Sequence, residues 1–342
     1  AQGNSAQSPM NRLGNMLAHT LVCLATYTRF AVAGYDVQNA KVKVPGSLGL
    51  ALHVYAPNVP QSKNSFPVIW FATGFGCATP VSIYSKMLSG IVSQGYIVAG
   101  VYHEVPHVPA YVADGHHLHA ILEWGKHYLA AAMADAKLNA IPDVVSRSAV
   151  MGQSAGCHVA GQALTDGCSI AKAFIMIDPV DGYDPFRIVK SEDLIKPGEK
   201  VKFTTPALLL DNGLDPLKVN PLYPPCAPSE VSNDHFYTAW KGPIWNINAT
   251  AYGHLDCTDV PNGFLCPYNR TADKDWYRSM LAEAITTFLG ALFDNQPTQL
   301  SVLENASHWK VDVVLKHDLK GKKYSGIKAG CINDEPGSSV VV

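Results

Sequence analysis

The run Val68-Ile69-Trp70-Phe71-Ala72 is apolar at every position, opened by Pro67 and stopped by Thr73-Gly74-Phe75-Gly76. A strand with one face in water alternates between apolar and polar residues. A strand with no polar position must be covered on both faces, as happens in parallel sheets held between helices. The theme returns in Tyr96-Ile97-Val98-Ala99-Gly100-Val101, in 148–152, and in Ala173 to Ile177, Thr205 to Leu210 and Ile244 to Ala249. Between these runs lie helical patterns at Val81 to Gln94, Gly115 to Ala136, Ala155 to Leu164 and Asp275 to Phe293. Strand and helix taken in turn predict an α/β fold with a mostly parallel central sheet, flanked by helices on both faces. Leu48 to Tyr55 alternates and reads as a half-buried strand.

One α/β domain accounts for nearly the whole of 1–342. Three stretches fall outside the alternation: an N-terminal segment over 1–34, a proline-rich excursion over 212–240, and a polar extension over 300–342 with Val311 to Leu315 as its one strand candidate. The apolar stretch Leu17 to Ala33 is interrupted by His19 and Arg29 and reads as an amphipathic helix. Its Ala31-Val32-Ala33 also has the form of a secretory cleavage site. Loops as long as the excursion are usually functional when they are ordered.

Charged residues are only 16% of the chain and the formal net charge is −2. Without a basic excess the chain is no phosphate-backbone binder, so nucleic acid is excluded as a partner. The neutral surface suits an apolar substrate or a peripheral contact with a membrane. Eight cysteines form no C-x-x-C pair and no zinc pattern, so no metal is expected. Cys257 and Cys266 are close enough in sequence to close a short loop, with buried free thiols as the other reading. Sequons at Asn248, Asn269 and Asn305 matter only in a secretory compartment.

The chemistry centres on Gly152-Gln153-Ser154-Ala155-Gly156, a G-x-S-x-G placed between a strand and a helix. A sharp turn there lifts the Ser154 hydroxyl above the sheet as a nucleophile. A serine needs a base. Of the thirteen histidines, His254 in Tyr252-Gly253-His254-Leu255-Asp256 follows a strand and precedes the last helix, where a base should project. His158 sits on the helix after the turn and His235 in the excursion. For the acid, Asp178 ends a strand in Ile177-Asp178-Pro179-Val180-Asp181-Gly182, Asp181 is three residues on, and Asp215 follows the next strand. A carboxylate at any such strand end points into the crevice above the sheet. The backbone N–H groups of Phe75 and Ala155 are the expected oxyanion donors.

Three motifs in order carry a resemblance: Ile177-Asp178-Pro179-Val180-Asp181-Gly182, then the run from Asn220 to Pro228, then Gly253-His254-Leu255-Asp256. Together they resemble the chlorophyllases of plants and green algae, over about Tyr35 to Leu289. The resemblance implies an α/β-hydrolase fold and cleavage of the phytyl ester of chlorophyll to chlorophyllide and phytol. It implies Ser154 as nucleophile, His254 as base and Asp178 as acid, with no cofactor. The expected partner is a small molecule, chlorophyll or a related tetrapyrrole ester. The implied location is the chloroplast, with the secretory pathway or vacuole as the alternative. Two positions depart from the family pattern: the elbow reads Gln153-Ser154-Ala155 where G-H-S-R-G-G is usual, and Thr73 replaces a histidine. These departures put Thr73 and Gln153 on the wall of the substrate pocket, and the proline-rich excursion is expected to add Tyr223 and Phe236. Other readings are a serine esterase or lipase of different substrate, and a pigment-binding protein without turnover.

Overall fold

The computed structural model describes residues 34–44, 49–60, 64–105, 108–182, 192–219, 221–261 and 265–331. Nearly all of the N-terminal stretch read as a helical extension thus lies outside the described residues. From Tyr35 onward the chain forms one compact unit. Its nine-stranded sheet has the order β1-β2-β4-β3-β5-β6-β7-β8-β9. The central strands are β3 (Ser65–Ala72), β4 (Ile97–His103), β5 (Ile141–Gln153), β6 (Phe174–Ile177), β7 (Ala207–Asn212) and β8 (Ile244–Ala249), and they run parallel. The edges are antiparallel: β2 (Leu50–Pro57) pairs with β4, β1 (Val37–Val42) with β2, and β9 (Val313–Asp318) with β8.

The all-apolar strands serve two cores at once, because successive side chains leave a strand on opposite faces. Val68, Trp70 and Ala72 of β3 join one core, while Ile69 and Phe71 join the other. The first core is covered by α2 (Tyr111–Asp135) and α3 (Gly156–Asp166), through Leu118, Leu122, Leu129, Val159 and Ala163. The second is covered by α1 (Ser85–Ser93) and α5 (Lys274–Phe293), through Met87, Leu88, Ile91, Leu281, Ile285 and Phe288. This is the α/β-hydrolase architecture.

Several elements differ from expectation. The helix read from Val81 begins as a 3-10 turn, Val81–Tyr84, before α1. A short helix, α4 (Asn233–Ala239), stands inside the proline-rich excursion. The tail strand lies two residues later than its sequence candidate. It pairs edge-on with β8, so half of its residues face solvent and its apolar signal is short.

Two disulfides are present among the described residues, and neither is the loop expected from Cys257 and Cys266. Cys226 pairs with Cys266, and Cys168 with Cys331. Cys257 is a buried free thiol. The Cys168–Cys331 bond spans 163 residues and ties the tail to the turn before β6. A cross-link over so long a loop restricts the unfolded chain strongly. Replacing both cysteines by serine should lower unfolding stability by about 2–5 kcal/mol, read as a lower denaturant midpoint, with kcat unchanged because the bond is remote from the site described below.

Candidate active site

The site is built on the C-terminal ends of β3, β5, β7 and β8. At the end of β5 the chain turns directly into α3, and Ser154 sits in the turn with φ +54. Backbone bonds hold that strained residue: Ser154 N–H donates to Ile177 O at 2.9 Å, and Cys157 and Val180 N–H groups donate to Ser154 O. Gly156 is required for close approach, since a Cβ there would collide with the carbonyl oxygens of Ala72 and Thr73. Side-chain-free positions on either side of the serine are what let α3 start against the end of β3.

His254 follows β8 in a turn closed by the Gly253 N–H, which donates to Asp256 Oδ2 at 2.9 Å. Asp256 is in turn held by Lys274 at 2.9 Å. Any side chain at position 253 would meet the Pro267 carbonyl. The turn brings His254 Nε2 to 2.8 Å from Ser154 Oγ. On the other side of the ring, Nδ1 lies 3.1 Å from Asp215 Oδ2. Ser154, His254 and Asp215 thus form one continuous chain of hydrogen bonds.

The acid in that chain differs from the one the motif resemblance implied. No hydrogen bond joins Asp178 to His254, although a carboxylate oxygen lies within 4.8 Å of a ring nitrogen. Asp178 Oδ2 accepts from Asn212 Nδ2 at 2.6 Å, and Asp178 stands beside Asp215. The reason lies in the turns. Asp178 is at the first position after β6, with φ +45, and its N–H is bonded to Leu210 O. Asp215 lies three residues beyond β7, on a turn tied to the His254 loop through Leu214 N–H and Tyr252 O. Asp181 is committed elsewhere: it accepts from His158 and His235 and from the Leu194 and Ile195 N–H groups. Burial raises its carboxyl, but those hydrogen bonds outweigh burial and hold it well below the usual range.

An apolar cavity of about 200 Å³ opens over Ser154. Its walls include Phe75, Ile83, Val180, Tyr223, Leu255 and the Cys226–Cys266 disulfide. Phe75 and Ala155, the expected oxyanion donors, both border it, and Ala155 immediately precedes α3. Of the residues expected to line the pocket, Gln153 and Tyr223 do. Thr73 and Phe236 do not. Thr73 is buried, its hydroxyl donating to Thr79 O at 2.7 Å, and Phe236 is in the core on the inner face of α4.

Tyr84 is a residue that sequence reasoning missed. Its hydroxyl donates to Gln153 Oε1 at 2.9 Å and accepts from the Gly74 N–H at 3.1 Å, while Gln153 Nε2 donates to the His254 carbonyl at 3.2 Å. One tyrosine and one glutamine therefore join the glycine loop, the elbow and the histidine turn. An apolar helix pattern gave no sign of that role, because Tyr84 lies in the 3-10 turn that precedes the helix.

These features meet the comparison with known proteins. The chlorophyllase family profile matches residues 26–317. The chain belongs to the chlorophyllase family. It is similar to Chlorophyllase-2 of Arabidopsis thaliana, with 24% identity over 281 residues, covering 75% of this chain and 83% of that protein. It is similar also to Chlorophyllase-1 of the same plant, with 28% identity over 249 residues, covering 67% and 73% respectively. Membership in this family makes the chain a hydrolase by descent, and its site has the arrangement of a serine hydrolase.

Burial lowers the His254 pKa. The imidazole is therefore neutral at pH 7 and able to accept the Ser154 proton. With a short aryl ester, kcat/KM should fall as pH drops through a value below 6.5, the ordinary histidine pKa; an acidic limb at or above that value contradicts the assignment. A second expectation concerns the pocket wall. Replacing Cys226 and Cys266 together by serine should raise KM for bulky esters by about tenfold while leaving kcat for a short acetate ester nearly constant, since the bond lines the cavity and touches no member of the hydrogen-bond chain.

Proposed function

We propose that the protein hydrolyses the phytyl ester of chlorophyll, with Ser154 as nucleophile, His254 as general base and Asp215 as the carboxylate that orients the ring. The observation that carries this reading is a Ser154–His254–Asp215 chain opening onto an apolar cavity, in a member of the chlorophyllase family. Ser154 Oγ gives its proton to His254 Nε2 and attacks the propionate ester carbonyl. Asp215 keeps the proton of the imidazole on Nδ1 and stabilises the imidazolium. The Phe75 and Ala155 N–H groups take the oxyanion, one such donor being worth about 3 kcal/mol. On collapse, phytol leaves with the proton from His254. A water then gives its proton to His254 and attacks the acyl-enzyme, releasing chlorophyllide and restoring Ser154. The magnesium of chlorophyll belongs to the substrate and takes no part in these steps.

The mouth of the cavity supports a lipophilic substrate. Leu222 is 90% exposed, and Leu217, Val219 and Leu265 are exposed on the same loops that supply the cavity wall. Such a rim suits peripheral contact with the membrane that carries the pigment. A chloroplast location is proposed with that substrate, since the pigment is held there. Two disulfides favour the alternative, a secretory or vacuolar compartment, because oxidising lumens preserve such bonds.

The test is release of phytol and chlorophyllide from purified chlorophyll a. Ser154→Ala should reduce the rate roughly a thousandfold or more. Cleavage of short aryl esters without any phytol release assigns the site to another esterase. Chlorophyll retained intact by both proteins assigns it to pigment binding.

A further inference from the structure

Asp178 and Asp215 are both wholly buried, side by side at the ends of neighbouring strands. Each has a partner on one oxygen only. Asn212 Nδ2 donates to Asp178 Oδ2, and His254 Nδ1 faces Asp215 Oδ2. The other two oxygens, Asp178 Oδ1 and Asp215 Oδ1, are buried without a donor. A carboxylate oxygen of each acid nevertheless lies within 4.8 Å of the other and of a His254 ring nitrogen.

The surroundings supply no compensating charge. The ionisable groups facing the pair are His254, Asp211, Asp256, Cys257 and Tyr277. Of the nearby cations, Lys274 is committed to Asp256, and Arg278 to Asp275 and Asp259. Two adjacent anions sealed from water cannot both stay ionised. Two buried acceptors without a donor are a further cost. A single proton removes both difficulties.

We propose that Asp178 is a positioning residue: it carries a carboxyl proton at neutral pH and donates it to Asp215, which remains the anion against His254. This rests on the hydrolytic reading of Ser154, His254 and Asp215. Burial holds both carboxyls well above the ordinary carboxylate range; the Asp215 charge pushes Asp178 further up, while the bond from Asp178 pulls Asp215 the other way without cancelling its rise. The bond fixes the Asp215 rotamer so that Oδ2 points at the imidazole. Asn212 fixes Asp178 in turn, and through its bond to the Gly253 carbonyl at 3.1 Å it ties both acids to the histidine turn.

Infrared spectroscopy and a short aryl ester test this together. The wild-type protein should show the carbonyl stretch of a buried carboxylic acid, persisting above about pH 9, where Asp211, pushed up to about 7, has lost its proton. That band should vanish in Asp178→Asn. The amide can still donate to Asp215, so the variant should lose only about tenfold in kcat. Asp178→Leu, which cannot donate, should lose on the order of a hundredfold. Asp215→Asn should lose about ten-thousandfold, because it favours the wrong imidazole tautomer. Equal losses in Asp178→Asn and Asp215→Asn, or a wild type with no such band, overturn the proposal. If the wild type cleaves no ester, the hydrolytic reading fails by itself, and the titration of the wild-type band still decides where the proton is.

Discussion

The close approach of α3 to the end of β3 is the constraint on which the rest of the site depends. Gly156 meets the carbonyls of Ala72 and Thr73 at a separation that leaves no room for a side chain. That contact makes the turn at Ser154 tight, forces its backbone into a left-handed conformation, and raises its hydroxyl above the sheet. It also brings the glycine loop beside the serine, so that the nucleophile and the Phe75 N–H border one cavity. The strain at Ser154 is held by three backbone hydrogen bonds to it, two of them involving residues around β6, so the parallel sheet supports the elbow directly.

The layers of the fold were legible because two-sided burial leaves an unmistakable mark: strands such as Val68 to Ala72 have no polar position to hide. The serine and histidine of the hydrogen-bonded chain were legible for a related reason. Each lies in a local motif whose glycines are dictated by backbone contacts within a few ångströms. The acid was not. Asp178 and Asp215 follow adjacent strands, both are wholly buried, and the distance that separates their roles is smaller than anything spacing can resolve. Only the turn after β7, tied to Tyr252, decides which carboxylate reaches His254 Nδ1. The cysteine pairing was hidden likewise, because Cys226 meets Cys266 through the folding of two separate loops around the cavity. Phe236 and Tyr223 look equivalent as aromatics in one excursion. Helix α4 turns the first inward to the core, and the loop leaves the second at the cavity.

Behind the site the molecule concentrates buried acid. Asp178, Asp211, Asp215 and Asp256 are all nearly inaccessible, yet the chain as a whole is poor in charge. Amides do much of the work that cations do elsewhere: Asn212 serves Asp178, and Asn233 and Asn248 both donate to Asp211. The engagement of Asn248 with Asp211 ties up the half-buried amide of that sequon, whereas Asn269 and Asn305 accept bonds only within their own turns. Neutral donors stabilise a carboxylate without adding positive charge near His254, which keeps its imidazole in the uncharged form a base requires.

Gln153 occupies the variable position of its five-residue motif, yet it is not a free choice. Its two ends hold Tyr84, and through it Gly74, on one side and the His254 carbonyl on the other. A shorter or differently branched residue would release both loops at once. Position 153 and position 84 therefore form a single structural unit. An exchange of elbows between relatives would be expected to transfer function only when the tyrosine, or whatever replaces it, travels with them.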